Sequence, residues 1–140
     1  MIKPVHVYLA GGFKSGWQDA VRKACLDLEL KHLVVWEDHR ENGTSDPDIY
    51  GPIDRRRCEK SSIVFGFAEI DNPLPFPLFF EMGFFLGQKK LVIYVNEIQP
   101  EDKRYRPYLF PTKFDNKIYT EYSLETGIKK LRFLIQACTQ

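Results

Sequence analysis

The sequence predicts an α/β domain in three layers, with a mainly parallel central sheet of about five strands and helices on both sides. Three observations carry this expectation. Short β-rich or apolar runs alternate with helical stretches along the 140 residues. Two of those runs, Ile63-Val64-Phe65-Gly66-Phe67-Ala68 and Leu91-Val92-Ile93-Tyr94-Val95, are almost continuously apolar, as parallel strands covered on both faces must be. No internal repeat, low-complexity tract or composition shift divides the chain, so residues 1–140 read as one domain.

The elements follow in order. Val5 to Ala10 is a β-rich run ended by the Gly11-Gly12 turn. Trp17, Ala20, Val21, Ala24 and Leu28 recur at three- and four-residue spacing, a helix with one buried face. Leu33-Val34-Val35-Trp36 is a second strand. Glu37 to Asp48 is polar and holds Asn42-Gly43 and Asp46-Pro47, which predicts a long loop. Pro52 suits the first turn of a helix running to about Lys60. After the strand at Ile63, residues Asp71 to Pro77 form a proline-punctuated loop, and Leu78 to about Gly87 a helix. Asn96 to Phe114 reads as an irregular excursion and Lys117 to Tyr122 as an edge strand. Ser123 caps a last amphipathic helix carrying Leu124, Ile128, Leu131, Ile135 and Cys138.

Composition removes several classes of function. Twenty basic against nineteen acidic residues leave a net charge of +1, too little for a nucleic-acid backbone binder. Cys25, Cys58 and Cys138 are odd in number and far apart, which predicts reduced thiols in a cytoplasmic protein. Met1 to Pro4 leads straight into a strand pattern, with no secretory signal. The greasy stretch after Asp71 is too short for a bilayer and is broken by Pro73, Pro75, Pro77 and Glu81. His6, His32 and His39 do not cluster, and no Cys/His spacing suggests a metal. Asp46-x-Asp48 begins like a calcium loop, but Arg57 stands where its bidentate Glu belongs.

Glu81 is the most informative residue. Phe76, Phe79, Phe80, Phe84 and Phe85 crowd around it, and it is the sole charge between Asp71 and Lys89. A helix apolar on all sides is expected to be buried on all sides, one face on the sheet and the rest against a second copy of the chain. A buried carboxylate carries a desolvation cost and a raised pKa, which suits acid, base or nucleophile chemistry. The structural alternative pairs Glu81 with an arginine of Arg55-Arg56-Arg57. Ligands of an open parallel sheet sit beyond the carboxyl ends of its strands. That edge is expected to hold Tyr8 at the end of the first strand, the turn Gly11, Gly12 and Phe13, and Asp71. The turn is neither a GxGxxG nor a P-loop, so it reads equally as a cradle or a plain glycine turn. Taken alone, Asp54 and Asp71 read first as surface charges, and the alternative for Tyr8 is a packed aromatic with a satisfied hydroxyl.

Val7-Tyr8-Leu9-Ala10-Gly11-Gly12 with Trp17-Gln18, Asp54 eight residues before Ser62, and Phe80-Glu81-Met82-Gly83 leading to Lys89-Lys90-Leu91 occur in that order. The set resembles the nucleoside 2-deoxyribosyltransferase superfamily, of transferases and nucleoside-monophosphate N-glycosidases, over Lys3 to Val95. The resemblance implies a flavodoxin/Rossmann-like fold and a nucleoside or nucleotide substrate cut at its N-glycosidic bond without metal or cofactor. It makes Glu81 the nucleophile, Tyr8 the residue that holds it, and Asp54 the acid beside sugar and base. It places Gly11, Gly12, Phe13, Trp17 and Asp71 around the substrate. More loosely, Asp115-Asn116 resembles a stretch that reaches the sugar in a neighbouring subunit, which implies a homodimer or larger homo-oligomer. Two departures favour an alternative, a nucleotide-binding or regulatory module without turnover. The loop Asp71 to Pro77 has no Gly or Ser, and Cys138-Thr139-Gln140 offers no terminal tyrosine. A purely structural interaction domain is the third reading.

Overall fold

The computed structural model describes residues 4–13, 15–36, 46–70, 76–98, 101 and 103–139. Of the loop expected over Glu37 to Asp48, residues 37–45 lie outside the described residues, as does Asp71 with its proline-rich neighbours to Pro75, while Pro47 and Asp48 already belong to a helix.

The expected architecture is present. Strands β1 (Val5–Gly11), β2 (Leu33–Trp36), β3 (Ile63–Ala68), β4 (Leu91–Asn96) and β5 (Tyr119–Glu121) form one sheet in the order β2-β1-β3-β4-β5, with every pairing parallel. Helices α1 (Trp17–Leu26), α2 (Pro47–Lys60), α3 (Phe76–Gly87), α4 (Phe110–Phe114) and α5 (Leu124–Cys138) supply the connections. This is the doubly wound order of flavodoxin-like sheets, whose direction of winding reverses between β1 and β3.

The two-residue period of the strands sorts side chains into two cores. Val5, Val7, Leu9, Ile63, Phe65, Phe67, Ile93 and Val95 meet Val21 and Cys25 of α1 and Leu131, Leu134 and Ile135 of α5. Tyr8, Ala10, Val64, Ala68, Val92 and Tyr94 meet Cys58 of α2 and Leu78, Met82 and Phe85 of α3. Every residue of β3 is buried, which is why its sequence shows no polar alternation. Among the described residues no helix is long and apolar enough to cross a membrane.

Several expectations need correction. The second helix starts at Pro47, not Pro52. Asp46 is its N-cap, with Oδ1 accepting the Asp48 N–H at 3.0 Å, and Pro47 takes the position where a missing N–H costs nothing. Pro52 lies inside the helix. The excursion after β4 is more regular than expected: Lys103–Leu109 is a 3-10 helix leading into α4. Tyr94 Oη donates to the Tyr108 carbonyl at 2.7 Å and pins that segment to the sheet. Cys138 ends α5 exposed rather than on its buried face. Ser123 does cap α5, its hydroxyl accepting the Thr126 N–H at 3.2 Å.

Within one chain, α3 is buried on one face only. It turns Leu78, Met82 and Phe85 inward, and leaves Phe76 and Phe80 exposed at 72% and 81%. Gly66 of β3 lets it approach closely: a Cβ there would meet Leu78 Cδ1 at 2.7 Å and Met82 Sδ at 3.0 Å.

At the end of β1, Gly11 has φ +148°, and a Cβ on it would lie 2.5 Å from the Phe67 carbonyl oxygen. Neither the dihedral nor the backbone contact can relax cheaply. Gly11→Ala should therefore lower the unfolding free energy by about 2 kcal/mol or more, read as the shift of the urea midpoint. A midpoint equal to wild type would contradict this account of the turn.

Candidate functional site

Three elements bring Glu81, Tyr8 and Asp54 together. Glu81 is five residues into α3, about 7.5 Å along its axis. Asp54 is seven residues into α2, about 10 Å along it. Both helices start at the carboxyl edge of the sheet and run antiparallel to the strands. Tyr8 lies three residues before the end of β1, about 10 Å below that edge. The three side chains therefore share one layer between the sheet and its α2/α3 cover. Tyr8 does not end its strand, as the sequence suggested, because β1 continues to Gly11.

The same layer holds a fourth group. Cys58 follows Asp54 by one helical turn, and its Sγ lies 3.8 Å from Glu81 Oε2, an S–H donor to a carboxylate oxygen. Glu81 is half-buried rather than fully buried. Asp54 is half-buried too, with Oδ1 out of solvent contact. The Tyr8 hydroxyl is buried within interaction range of Glu81, Cys58 and Asp54, but falls short of standard hydrogen-bond geometry. The ring of Tyr8 stacks on Phe85 with centroids 6.2 Å apart.

The electrostatics of the layer follow from burial and two carboxylates. Desolvation pushes the Tyr8 phenol far above its ordinary range, and the negative charge of Glu81 adds to it. Desolvation and then Glu81 and Asp54 push the Cys58 thiol the same way. Both groups stay protonated as neutral donors. Two of the three arginines proposed as structural partners are engaged along α2 itself: Arg55 Nε contacts Glu59 Oε1 at 3.0 Å, and Arg56 Nε donates to the Pro52 carbonyl at 3.4 Å.

The other expected site residues sit elsewhere. Gly11 ends β1 and Gly12 opens the turn beyond it, with Phe13 half-buried on that turn. Trp17 is buried and braces this turn, its Nε1 donating to the Gly12 carbonyl at 2.8 Å while its ring packs on Phe65 and Phe67. Gln18 Nε2 donates to the same carbonyl at 2.8 Å. Asp71 lies outside the described residues. Asn116 is exposed in the turn entering β5, at the amino end of a parallel strand, and the chain does not bring it to Glu81. Its expected role was in a neighbouring subunit.

Sequence reasoning missed two residues. Cys58 carried no signal beyond its place four residues after Asp54. Glu69, the first residue after β3, is 3% exposed, and its Oε2 accepts the Ser15 N–H at 2.7 Å. It lines an open cleft of about 320 Å³ with Ser15, Trp17, Ile70, Glu97 and Leu124, on the α1/α5 side of the edge. Its signal was its place, the first polar residue beyond a buried strand. Among the described residues no three His, Cys, Asp or Glu come close enough to hold a metal.

No family model matches the sequence, and no curated protein does. Among solved structures the chain is similar to a conserved protein from Enterococcus faecalis V583, at 14% identity and a TM-score of 0.51, over 91% of this chain and 87% of that one. The likeness supports the α/β fold.

The raised groups link stability to alkaline pH. A group whose pKa is raised on folding contributes stability that is complete below its unfolded value and is lost as pH rises above it. Those unfolded values are 9.0 for the thiols and 10.0 for the phenols; burial pushes Cys25, on the inner face of α1, up to about 11. The thermal midpoint should thus fall from pH 9 to pH 11, and fall less steeply above pH 10 in Tyr8→Phe. Equal slopes for the two proteins would contradict the buried, protonated phenol.

Proposed function

We propose that this chain cleaves or transfers at the N-glycosidic bond of a nucleoside or nucleotide, with the Glu81 carboxylate as nucleophile. One observation carries the reading: α2, α3 and β1 each direct an ionisable side chain to the same layer, around the sole charged residue of an otherwise apolar helix. The ordered set of motifs around Tyr8, Asp54 and Glu81 supports the same chemistry.

A glycosidic carbon develops positive charge as the base departs. A Glu81 oxygen attacks C1′, the C1′–N bond breaks, and its electron pair leaves with the base. Asp54, on the facing helix, gives the departing base a proton, worth about 10²–10⁴-fold. Water or a second base then attacks C1′ and frees Glu81, giving a hydrolase or a transferase. Tyr8 holds Glu81 from below, and the turn Gly11 to Phe13 bounds the sugar side. The α3 stripe of Phe76 and Phe80 is where a second copy packs, which brings its own Asp115-Asn116 turn into play. The protein then acts as a homo-oligomer.

A second reading has its own support in the Asp71 to Pro77 segment, which has no Gly or Ser to engage a phosphate or hydroxyl. On that reading the chain binds nucleotides without turnover. Saturable binding with no free base after prolonged incubation would favour it.

Incubation with a panel of ribo- and deoxyribonucleosides and their monophosphates, followed by chromatography of free bases, tests the lead reading. Glu81→Ala should lower base release by more than about 10³-fold while keeping the wild-type circular dichroism spectrum. Activity that survives this change would remove Glu81 from the reaction. Sedimentation tests the assembly: Phe80→Glu should reduce the wild-type mass to that of one chain. A wild type already sedimenting as one chain would contradict the packing of α3 on a second copy.

A further inference from the structure

Cys58 has no role in the bond-breaking steps above, yet its thiol touches the residue that performs them. The contact is Sγ to Glu81 Oε2 at 3.8 Å, and Cys58 is only 4% exposed. The last turn of α2 is anchored from outside. Lys90 Nζ donates to the Cys58 carbonyl at 3.0 Å and to the Glu59 carbonyl at 2.7 Å, and the Ser61 hydroxyl donates to the Arg57 carbonyl at 2.7 Å. The Lys90 ammonium also lies 5.5 Å from the centroid of the Phe85 ring, on α3. One lysine thus ties the end of the helix that carries Cys58 to the helix that carries Glu81.

We propose that Cys58 is a positioning residue for Glu81: its protonated thiol holds Oε2 and fixes the plane in which the carboxylate meets its substrate. The proposal rests on the reading of Glu81 as the reacting carboxylate. A thiol suits this task because S–H is a weak donor. It orients the carboxylate and withdraws little of the negative charge that the attack uses. A cation or a strong hydroxyl donor would stabilise that charge more and blunt the nucleophile. The groups facing the thiol are Tyr8 from β1, Asp54 on its own helix and Glu81 from α3. Burial and the two carboxylates keep its proton on through the neutral range. Tyr8 and Cys58 thus approach Glu81 from two elements as uncharged acids.

Infrared spectroscopy of the full chain reads the contact directly. The S–H stretching band of Cys58 is the one that disappears in Cys58→Ala. It should lie below the free-thiol position and move toward it in Glu81→Gln. In Cys58→Ala, side-chain carboxyl NMR should show Glu81 titrating at higher pH than in wild type. There kcat for base release should fall about threefold to tenfold, as for one lost hydrogen bond, with KM little changed. Cys58→Ser, which puts a stronger donor there, should return the Glu81 titration to the wild-type value or below it while restoring kcat only in part. A Cys58 band that stays in place in Glu81→Gln, or a Glu81 titration unaffected by Cys58→Ala, would overturn the proposal. Should Cys58→Ala fail to fold, Cys25→Ser and Cys138→Ser assign the band by elimination, and the Glu81→Gln comparison decides alone. A wild type that releases no base, with a Cys58 band that still answers to Glu81→Gln, sinks the glycosidic reading and supports the contact.

Discussion

The candidate site depends on how one carboxylate is accommodated in a helix that otherwise has no charge. Glu81 stands among Phe, Leu and Met on α3, where an isolated carboxylate loses much of its hydration. Its neighbours across the layer are a phenol and a thiol, both uncharged and both buried. Such donors lower the cost of the charge without cancelling it. That balance differs from a structural ion pair, in which an opposite charge cancels that of the carboxylate. Asp54 shares the layer, one helical turn before Cys58 on α2.

The fold sets the distances that make this possible. Without a side chain at Gly66, α3 lies close on β3, with Leu78 and Met82 resting where a Cβ would be. Those residues flank Glu81 by three positions and one, so the depth of the helix fixes the depth of the carboxylate. Strands rise about 3.3 Å per residue and helices about 1.5 Å. Tyr8, three residues below its strand end, therefore meets helical residues five to seven positions from theirs. The opposite face of the sheet is organised differently. There Trp17 and Gln18 clamp the Gly12 carbonyl, and Glu69 holds the Ser15 N–H, so the turn after β1 is braced from the α1 side.

Much of this was legible in the sequence because parallel strands advertise themselves. The runs Leu33–Trp36 and Ile63–Ala68 match the observed strands in both bounds, and in Ile63–Ala68 the burial of every residue leaves no room for polar ones. The start of α2 was not legible. Both Pro47 and Pro52 can open a helix, and only the Asp46 side chain on the Asp48 N–H distinguishes them. The layer was half legible. Motif order pointed to Tyr8, Asp54 and Glu81, but the depth of Tyr8 needed the true end of β1. Cys58 was hidden because a lone cysteine carries no pattern of its own; only packing across two helices gives it a partner. The exposed Phe76 and Phe80 could not be told from core by periodicity, since α3 is apolar at nearly every position.

The central claim is that the Glu81 oxygen forms a bond to the sugar. A nucleoside carrying fluorine at C2′ slows the breakdown of such a bond, and acid quenching followed by peptide mapping locates it by mass. The account predicts one fluoro-sugar on the peptide containing Glu81, lost when the chain is chased with free base or water. An adduct on any other residue would contradict it, as would rapid release of base from this substrate with no adduct on the chain at any time.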